Sequence, residues 1–451
     1  MKRCYNYIGD IMYDNKKIFI LGMARSGYEM AKLLSEHNCE ILVTDGKEQD
    51  IDHVKELESL GVKVIITPNQ DELLDDTFDY VVKNPGISPD VKTCVKAREL
   101  SIPIVNELEV AYHYFPKVNI VAITGSNGKT TTTTLTYEIL KHAKLPVHLG
   151  GNIGYPMSSL IKQVNENDIV VLELSAQQLE DFKDFKVNIG ILTNLVPVHL
   201  DRYKTFENYM KYKKKIYNNN TEVAILNIGD ENVVELTKDI NSQKIYFSSK
   251  QKSNLYLENE AIYYNDERII NLSDIRLKGN HNYENIMCAI AVAKQYNVSN
   301  EVINEVLSQF TGVEHRLEFV KNVNGRDFYN DSKATNVDST IIALSAFTKP
   351  TILLLGGLDR GHSFDGLLPY MKNVKCVVCY GETKDRIENF CKENGYECHK
   401  LDNLKDSVKK AYELSSDGDI ILLSPACASW DQYKCFEDRG DEFKEVINNL
   451  E

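Results

Sequence analysis

Six consecutive residues, Gly125-Ser126-Asn127-Gly128-Lys129-Thr130, have the types and order needed to hold the phosphates of a nucleotide. They lie between an apolar run, NIVAIT, and a helical stretch whose spacing would bury Leu135, Ile139 and Leu140. A glycine-rich turn at that junction aims backbone N–H groups at an anion, and the helix dipole adds favourable charge. Lys129 can reach the outer phosphates, and the Thr130 hydroxyl can hold magnesium. The spacing departs from the general G-x-x-x-x-G-K-[ST] pattern, because Ile123 stands at the first glycine position.

Phosphoryl chemistry also needs metal ligands from outside the loop. Glu173 closes the apolar run of VVLELSAQQLE, and His199 follows the run NIGILTN. Oxygen and imidazole ligands suit Mg²⁺ or Mn²⁺. Adjacent parallel strands would bring these carboxyl-terminal turns beside the phosphate loop. The run Lys211-Tyr212-Lys213-Lys214-Lys215 reads as a solvated helix face, and spacing does not single out one lysine. Asn282, in GNHNYEN, suits either a helix N-cap or the donor and acceptor edge of adenine.

Two further places carry polar turns after apolar runs. Near the start, Gly22-Met23-Ala24-Arg25-Ser26-Gly27 resembles a dinucleotide fingerprint with Ala24 at the middle glycine, and Asp45 ends the next run. Arg25 in that turn favours a phosphate-bearing ligand. Near the end, Gly357-Leu358-Asp359-Arg360-Gly361 and Ser424-Pro425-Ala426-Cys427-Ala428-Ser429 each follow a strand-like run. Ligands of open α/β sheets bind beyond the carboxyl ends of strands, so Arg360 and Ser429 could face one carboxylate-bearing ligand.

The elements that must position these residues alternate. Apolar strands and helical stretches follow one another in three regions, which predicts an α/β protein with three mostly parallel, helix-flanked sheets. The expected divisions are 1–107, 108–312 and 313–451. Of 451 residues, 43% are hydrophobic and 26% charged, as in an ordinary globular chain, and the net charge of -14 argues against nucleic-acid or acidic-membrane partners. The sequence shows no apolar run of membrane-spanning length, and its first fifteen residues lack a signal-peptide core, so cytoplasm is the expected compartment. The ten cysteines read as reduced, buried thiols. A zinc site at Cys376, Cys379, Cys391 and Cys398 is disfavoured, because strand residues three apart face opposite ways.

Taken in order, TGSNGKTTTT, GGNIG, LELSAQQLE, NLVPVHLDRY, GNHNYEN, HRLE, NDSKATN, GGLDRG and SPACASWDQYKCFEDRGDEF resemble the motifs of the Mur ligases, and the last two resemble the D-glutamate-adding branch. The resemblance covers nearly the whole chain after residue 17. It implies a first domain for the UDP end of the precursor, a Rossmann-like sheet, then a P-loop domain for ATP and a Rossmann-like domain for the amino acid. It implies phosphorylation of the carboxylate of UDP-N-acetylmuramoyl-L-alanine and attack on the acyl phosphate by D-glutamate. Matched position by position, it assigns ATP to Gly125 through Thr131, with Lys129 as a catalytic residue, and to Asn282, Asn285, Arg316 and Asp331. Magnesium, two ions in this family, goes to Thr130, Glu173, His199 and a carbamylated Lys213. Lys333 and Thr335 fall near the phosphate and amino acid, and Arg360, Ser429 and Phe436 on D-glutamate. Asn152 falls on the muramoyl group, Arg25 and Ser26 on the precursor, and Asp45 with the Asn84–Gly86 turn on the uracil side. Arg360 stands where some members have lysine. A monomer is expected. The alternatives are another Mur-type ligase, a folylpolyglutamate-type ligase, a nicotinamide-dependent dehydrogenase and a non-catalytic P-loop switch.

Overall fold

The computed structural model describes residues 12–450. The opening eleven residues, most of the extension without an assigned role, lie outside them. Two compact units are present: one runs to Phe310 and the other begins at Thr311.

The first unit holds two sheets. In the first sheet the strands are β1 (Lys17–Leu21), β2 (Glu40–Asp45), β3 (Lys63–Ile66), β4 (Tyr80–Lys83) and β5 (Ile104–Val105), in the order β3-β2-β1-β4-β5, all parallel. The second sheet comprises β6 (Asn119–Thr124), β7 (Val147–Gly151), β8 (Ile169–Glu173), β9 (Ile189–Leu192), β10 (Val223–Asn227), β11 (Gln243–Ser248), β12 (Leu255–Glu258), β13 (Ala261–Tyr264) and β14 (Glu267–Asn271). Its order is β14-β13-β12-β11-β10-β9-β6-β8-β7, parallel except for the β12-β13-β14 meander at one edge. A strand buried on both faces reads as a continuous apolar run, which is why IVVLE and IGIL are buried at every position.

The division expected at 107/108 separates two sheets, each with an apolar cluster of its own and a further cluster common to both. One apolar cluster includes Ile20 and Val43 of the first sheet, Leu108 and Ala111 of the helix Glu107–Tyr114, and Ala122 and Leu172 of the second sheet. Asn106 caps that helix by accepting from Glu109 N at 3.0 Å.

The second unit holds β15 (Glu318–Val323), β16 (Arg326–Asn330), β17 (Thr351–Gly356), β18 (Val374–Tyr380), β19 (Cys398–Lys400) and β20 (Ile420–Leu423), in the order β15-β16-β20-β17-β18-β19. Only β15 and β16 pair antiparallel. Cys376 and Cys379 of β18 fall into cores on opposite faces of this sheet, as their spacing requires. The cysteines among the described residues are free thiols. Among those residues no helix is long and apolar enough to cross a membrane.

Candidate active site

The order β9-β6-β8-β7 sets four carboxyl-terminal turns side by side: Thr193–His199, Gly125–Gly128, Glu173 and Gly151–Asn152. The phosphate loop owes its shape to two glycines. Gly125 has φ 146° and Gly128 φ 79°, and a Cβ would collide with Thr193 Oγ1 at the first and with the Asn285 amide at the second. The helix Lys129–His142 starts directly after Gly128, and Leu135, Ile139 and Leu140 are buried as their spacing predicts.

Ser126 N donates to Asn194 O at 2.9 Å, and Asn127 N to Asn194 Oδ1 at 2.9 Å. The N–H groups of these two residues therefore tie the loop to the β9 turn. The N-terminus of an α-helix turns first-turn N–H groups outward, an arrangement suited to an anion, and this helix begins at Lys129 directly after the loop. The Lys129 ammonium arches over the loop, donating to Gly125 O at 2.9 Å and Ser126 O at 2.7 Å.

Lys213 is the member of the lysine run that turns inward. It lies in the helix Phe206–Lys214, is 1% exposed, and donates to Thr124 Oγ1 at 2.7 Å at the end of β6. Burial, reinforced by the nearby Lys129 charge and opposed by Glu173, drives its pKa well below the usual lysine value. Lys211 is exposed, Lys214 pairs with Asp239 at 2.6 Å, and Lys215 donates to Glu180 O. Glu173 is 2% exposed; its Oε1 accepts from Asn152 Nδ2 at 2.7 Å, and its buried Oε2 has no hydrogen-bond partner among the described residues. The buried, half-satisfied Glu173 carboxylate and the buried Thr130 hydroxyl on the neighbouring loop offer oxygen donors suited to a hard divalent cation, with the amine of Lys213 close by. The His199 ring stands 6.4 Å from the Tyr209 ring, whose hydroxyl meets Ser126 Oγ at 3.1 Å.

Asn282 lies in the first turn of the helix Asn280–Gln295 and donates to Lys278 O at 2.8 Å. The N-cap position belongs to Gly279, so the capping reading of Asn282 is corrected. Asn285 is buried against Gly128 and accepts from Thr132 Oγ1 at 3.3 Å, which joins this helix to the phosphate loop.

A cavity of about 300 Å³ gathers Arg25, Ser26, Asn84, Gly86 and Asn152, five residues chosen from distant parts of the sequence. Asn84 donates to Ser26 Oγ at 3.0 Å and accepts from Gly86 N at 3.0 Å, and Arg25 donates to Gly154 O at 3.0 Å. Asp45 does not line it; its carboxylate holds the first turn by accepting from Met23 N at 2.9 Å. Sequence reasoning missed Glu107, a buried carboxyl in the same cavity wall whose pKa burial pushes up to about 7. It also missed Arg202, which grips Glu180 through two 2.8 Å bonds and donates to Ile87 O at 3.1 Å behind the Asn84–Gly86 turn. An arginine three residues past the metal-ligand candidate His199 was the available signal for it.

In the second unit β16, β20 and β17 are neighbours, so their turns meet. Leu358 N donates to Ala428 O at 2.9 Å and joins the Arg360 and Ser429 turns. Arg360 is exposed and Ser429 buried. Asp331 is buried, accepts from Ser424 Oγ at 2.7 Å and Leu317 N at 3.2 Å, and burial pushes its pKa up to about 7 against the pull of Ser424 and Arg316. Lys333 Nζ lies 5.5 Å from the centre of the Phe436 ring. Thr335 N donates to Lys333 O at 2.9 Å, closing the turn. Beneath these turns is Arg439, wholly buried, whose guanidinium donates to Ser332 Oγ and O at 2.9 and 2.7 Å and to Cys427 O at 3.1 Å. No spacing rule marked it; its place in the helix Phe436–Asn448, amid residues of alternating charge, disguised it as surface.

A phosphate loop, a buried lysine and an orphan carboxylate in one unit, with paired strand-end turns in the other, define a nucleotide-dependent enzyme of α/β type. The Mur ligase middle domain matches residues 123–293, and the Mur ligase glutamate ligase domain matches 315–427. The chain belongs to the Mur ligase family. A UDP-N-acetylmuramoylalanine--D-glutamate ligase of Geobacillus sp. (strain WCH70) is 46% identical over 445 residues, covering 97% of this chain and 98% of the relative. A ligase of the same name from Bacillus cereus (strain G9842) is 44% identical over 444 residues, covering 97% and 98%. The fold is shared with the UDP-N-acetylmuramate-alanine ligase of Thermotoga maritima, at 21% identity and TM-score 0.60 over 96% of this chain and 99% of that one.

Proposed function

We propose that this protein joins D-glutamate to UDP-N-acetylmuramoyl-L-alanine with cleavage of ATP, as a cytoplasmic monomer in peptidoglycan precursor synthesis. The observation that carries the reading is the buried Lys213, whose charge is felt by Lys129 of the phosphate loop and by the buried Glu173. The relatives at 44–46% identity along nearly the whole chain support the choice of substrates.

A carboxylate is a poor electrophile, and phosphorylation supplies its leaving group. Lys129 and the first-turn N–H groups offset charge on the transferring phosphoryl oxygens. Asn282, Asn285, Arg316 and Asp331 are the proposed nucleoside contacts. The acyl phosphate forms on the precursor, the D-glutamate amine attacks its carbonyl carbon, and phosphate leaves. The amine of Lys213, whose pKa burial drives down, can add CO₂ in its uncharged form with loss of a proton and become a carbamate anion. Thr130, Glu173, His199 and that carbamate would hold magnesium, in two ions by this reading; when bound, magnesium supplies positive charge against the phosphates. Arg25, Ser26, Asn84, Gly86 and Asn152 would hold the precursor, with Asp45 on the uracil side. Arg360, Ser429, Lys333, Thr335 and Phe436 would hold D-glutamate.

The test is oxygen transfer. Precursor labelled with ¹⁸O in its free carboxylate is incubated with ATP, magnesium and D-glutamate. One labelled oxygen should appear in the released phosphate for each glutamate added. Product formed with unlabelled phosphate would contradict the acyl-phosphate route, and an absence of D-glutamate-dependent product would contradict the function.

A further inference from the structure

The chain has a single tryptophan, Trp430, directly after the Ser429 turn, and it is 63% exposed. The guanidinium carbon of Arg360 lies 4.9 Å from the centre of its ring system. Among the described residues nothing accepts a hydrogen bond from that guanidinium, and the adjacent Asp359 is engaged by Arg386. The indole stands on a braced platform. Gln432 N and Tyr433 N donate to Ser429 O at 3.1 and 2.9 Å, Asp431 accepts from Glu382 N at 3.1 Å, and Leu358 N reaches Ala428 O. Arg360, by contrast, is a long exposed side chain on a turn, with many rotamers open to it. A guanidinium laid on an aromatic face is held by cation–π attraction, while its N–H fork, which lies in the guanidinium plane, stays free at the edge.

We propose that Trp430 is the positioning residue for amino-acid capture: its indole holds Arg360 as an open fork for a carboxylate of D-glutamate, and its emission reports the arrival of that ligand. The inference rests on the reading of Arg360 as a D-glutamate contact. Charge neutralisation and movement of a stacked guanidinium alter the field at the indole, and no other tryptophan contributes to the signal.

The experiment uses the full chain with the UDP precursor and a non-hydrolysable ATP analogue. D-Glutamate is titrated against tryptophan emission, with L-glutamate as the comparison. Steady-state constants are measured for Trp430→Ala, Trp430→Phe and Arg360→Ala. A saturable emission change with D-glutamate is expected. Trp430→Ala should raise the KM for D-glutamate about 3- to 30-fold, the range of one cation–π contact, with far smaller changes in kcat and in the KM for precursor. Trp430→Phe should recover most of the loss. Constant emission under saturating D-glutamate would overturn the proposal, as would equal KM values for the alanine and phenylalanine variants. A normal KM in Trp430→Ala with a raised KM in Arg360→Ala would overturn the role of Trp430 and keep Arg360. A normal KM in Arg360→Ala would remove the reading underneath.

Discussion

Lys213 is the one lysine of its run that is fully buried. Its ammonium would be costly in that dry site, so the neutral amine is favoured, and a neutral amine is the form that adds CO₂. Lys213→Ala should therefore lower turnover by about 10²-fold or more, and millimolar acetate or formate should restore part of it by supplying the missing carboxylate. Lys214→Ala, which loses an exposed pair with Asp239, should stay near wild type. Rescue at position 214 and not at 213 would move the carbamate. This residue shows what spacing alone leaves open. A lysine run on a helix looks like solvated surface, and the inward member is the one whose side chain meets Thr124 at the end of β6. Glu173 and Asn152 were legible as strand-end polar groups, but their mutual bond was not, because it joins two strands apart in sequence. Asp45 was legible as a polar strand end, yet the strand-end position did not reveal that its carboxylate holds its own turn.

Element by element, the parallel strands were easily read from the sequence, because a strand buried on both faces leaves an unbroken apolar run. The edges were not. The meander β12-β13-β14 and the hairpin β15-β16 are half-polar and short. Their turns nevertheless carried a signal: Asn259-Glu260, Asn265-Asp266 and Asn324-Gly325 each place two residues at positive φ, the geometry of a two-residue hairpin loop. Arg439 is the element-scale device that sequence reading overlooked. From the helix Phe436–Asn448 it binds the backbone of two strand-end turns, at Ser332 and Cys427, so the Asp331–Thr335 and Ser424–Ser429 turns share one brace. Arg439→Met keeps much of the volume and removes the donors, leaving buried carbonyls unpaired. It should lower the stability of the second unit by about 2–4 kcal/mol, measured as a lower urea midpoint. The KM for D-glutamate should rise in the folded variant. An unchanged midpoint would show that the turns hold themselves.

At the scale of the whole molecule, the alternation of strand and helix gave the α/β class and the three sheets, and composition excluded a general polyanion binder. The first two sheets share one of their apolar clusters. The helix Glu107–Tyr114 packs into a core common to the first two sheets, and apolar periodicity cannot say whether two sheets share one. Each sheet presents its chemistry at the carboxyl ends of its strands, and the three groups of turns suit three ligands: a precursor, a nucleotide and an amino acid. The choice of amino acid is what separates this reading from other Mur-type ligases and from folylpolyglutamate-type ligases. It is tested most directly by phosphate release from ATP with UDP-N-acetylmuramoyl-L-alanine, across a panel of D- and L-amino acids that includes D-aspartate, L-glutamate, L-lysine and meso-diaminopimelate. The account predicts release with D-glutamate and little above background with the rest. Release driven by another amino acid, or release indifferent to any of them, would contradict it.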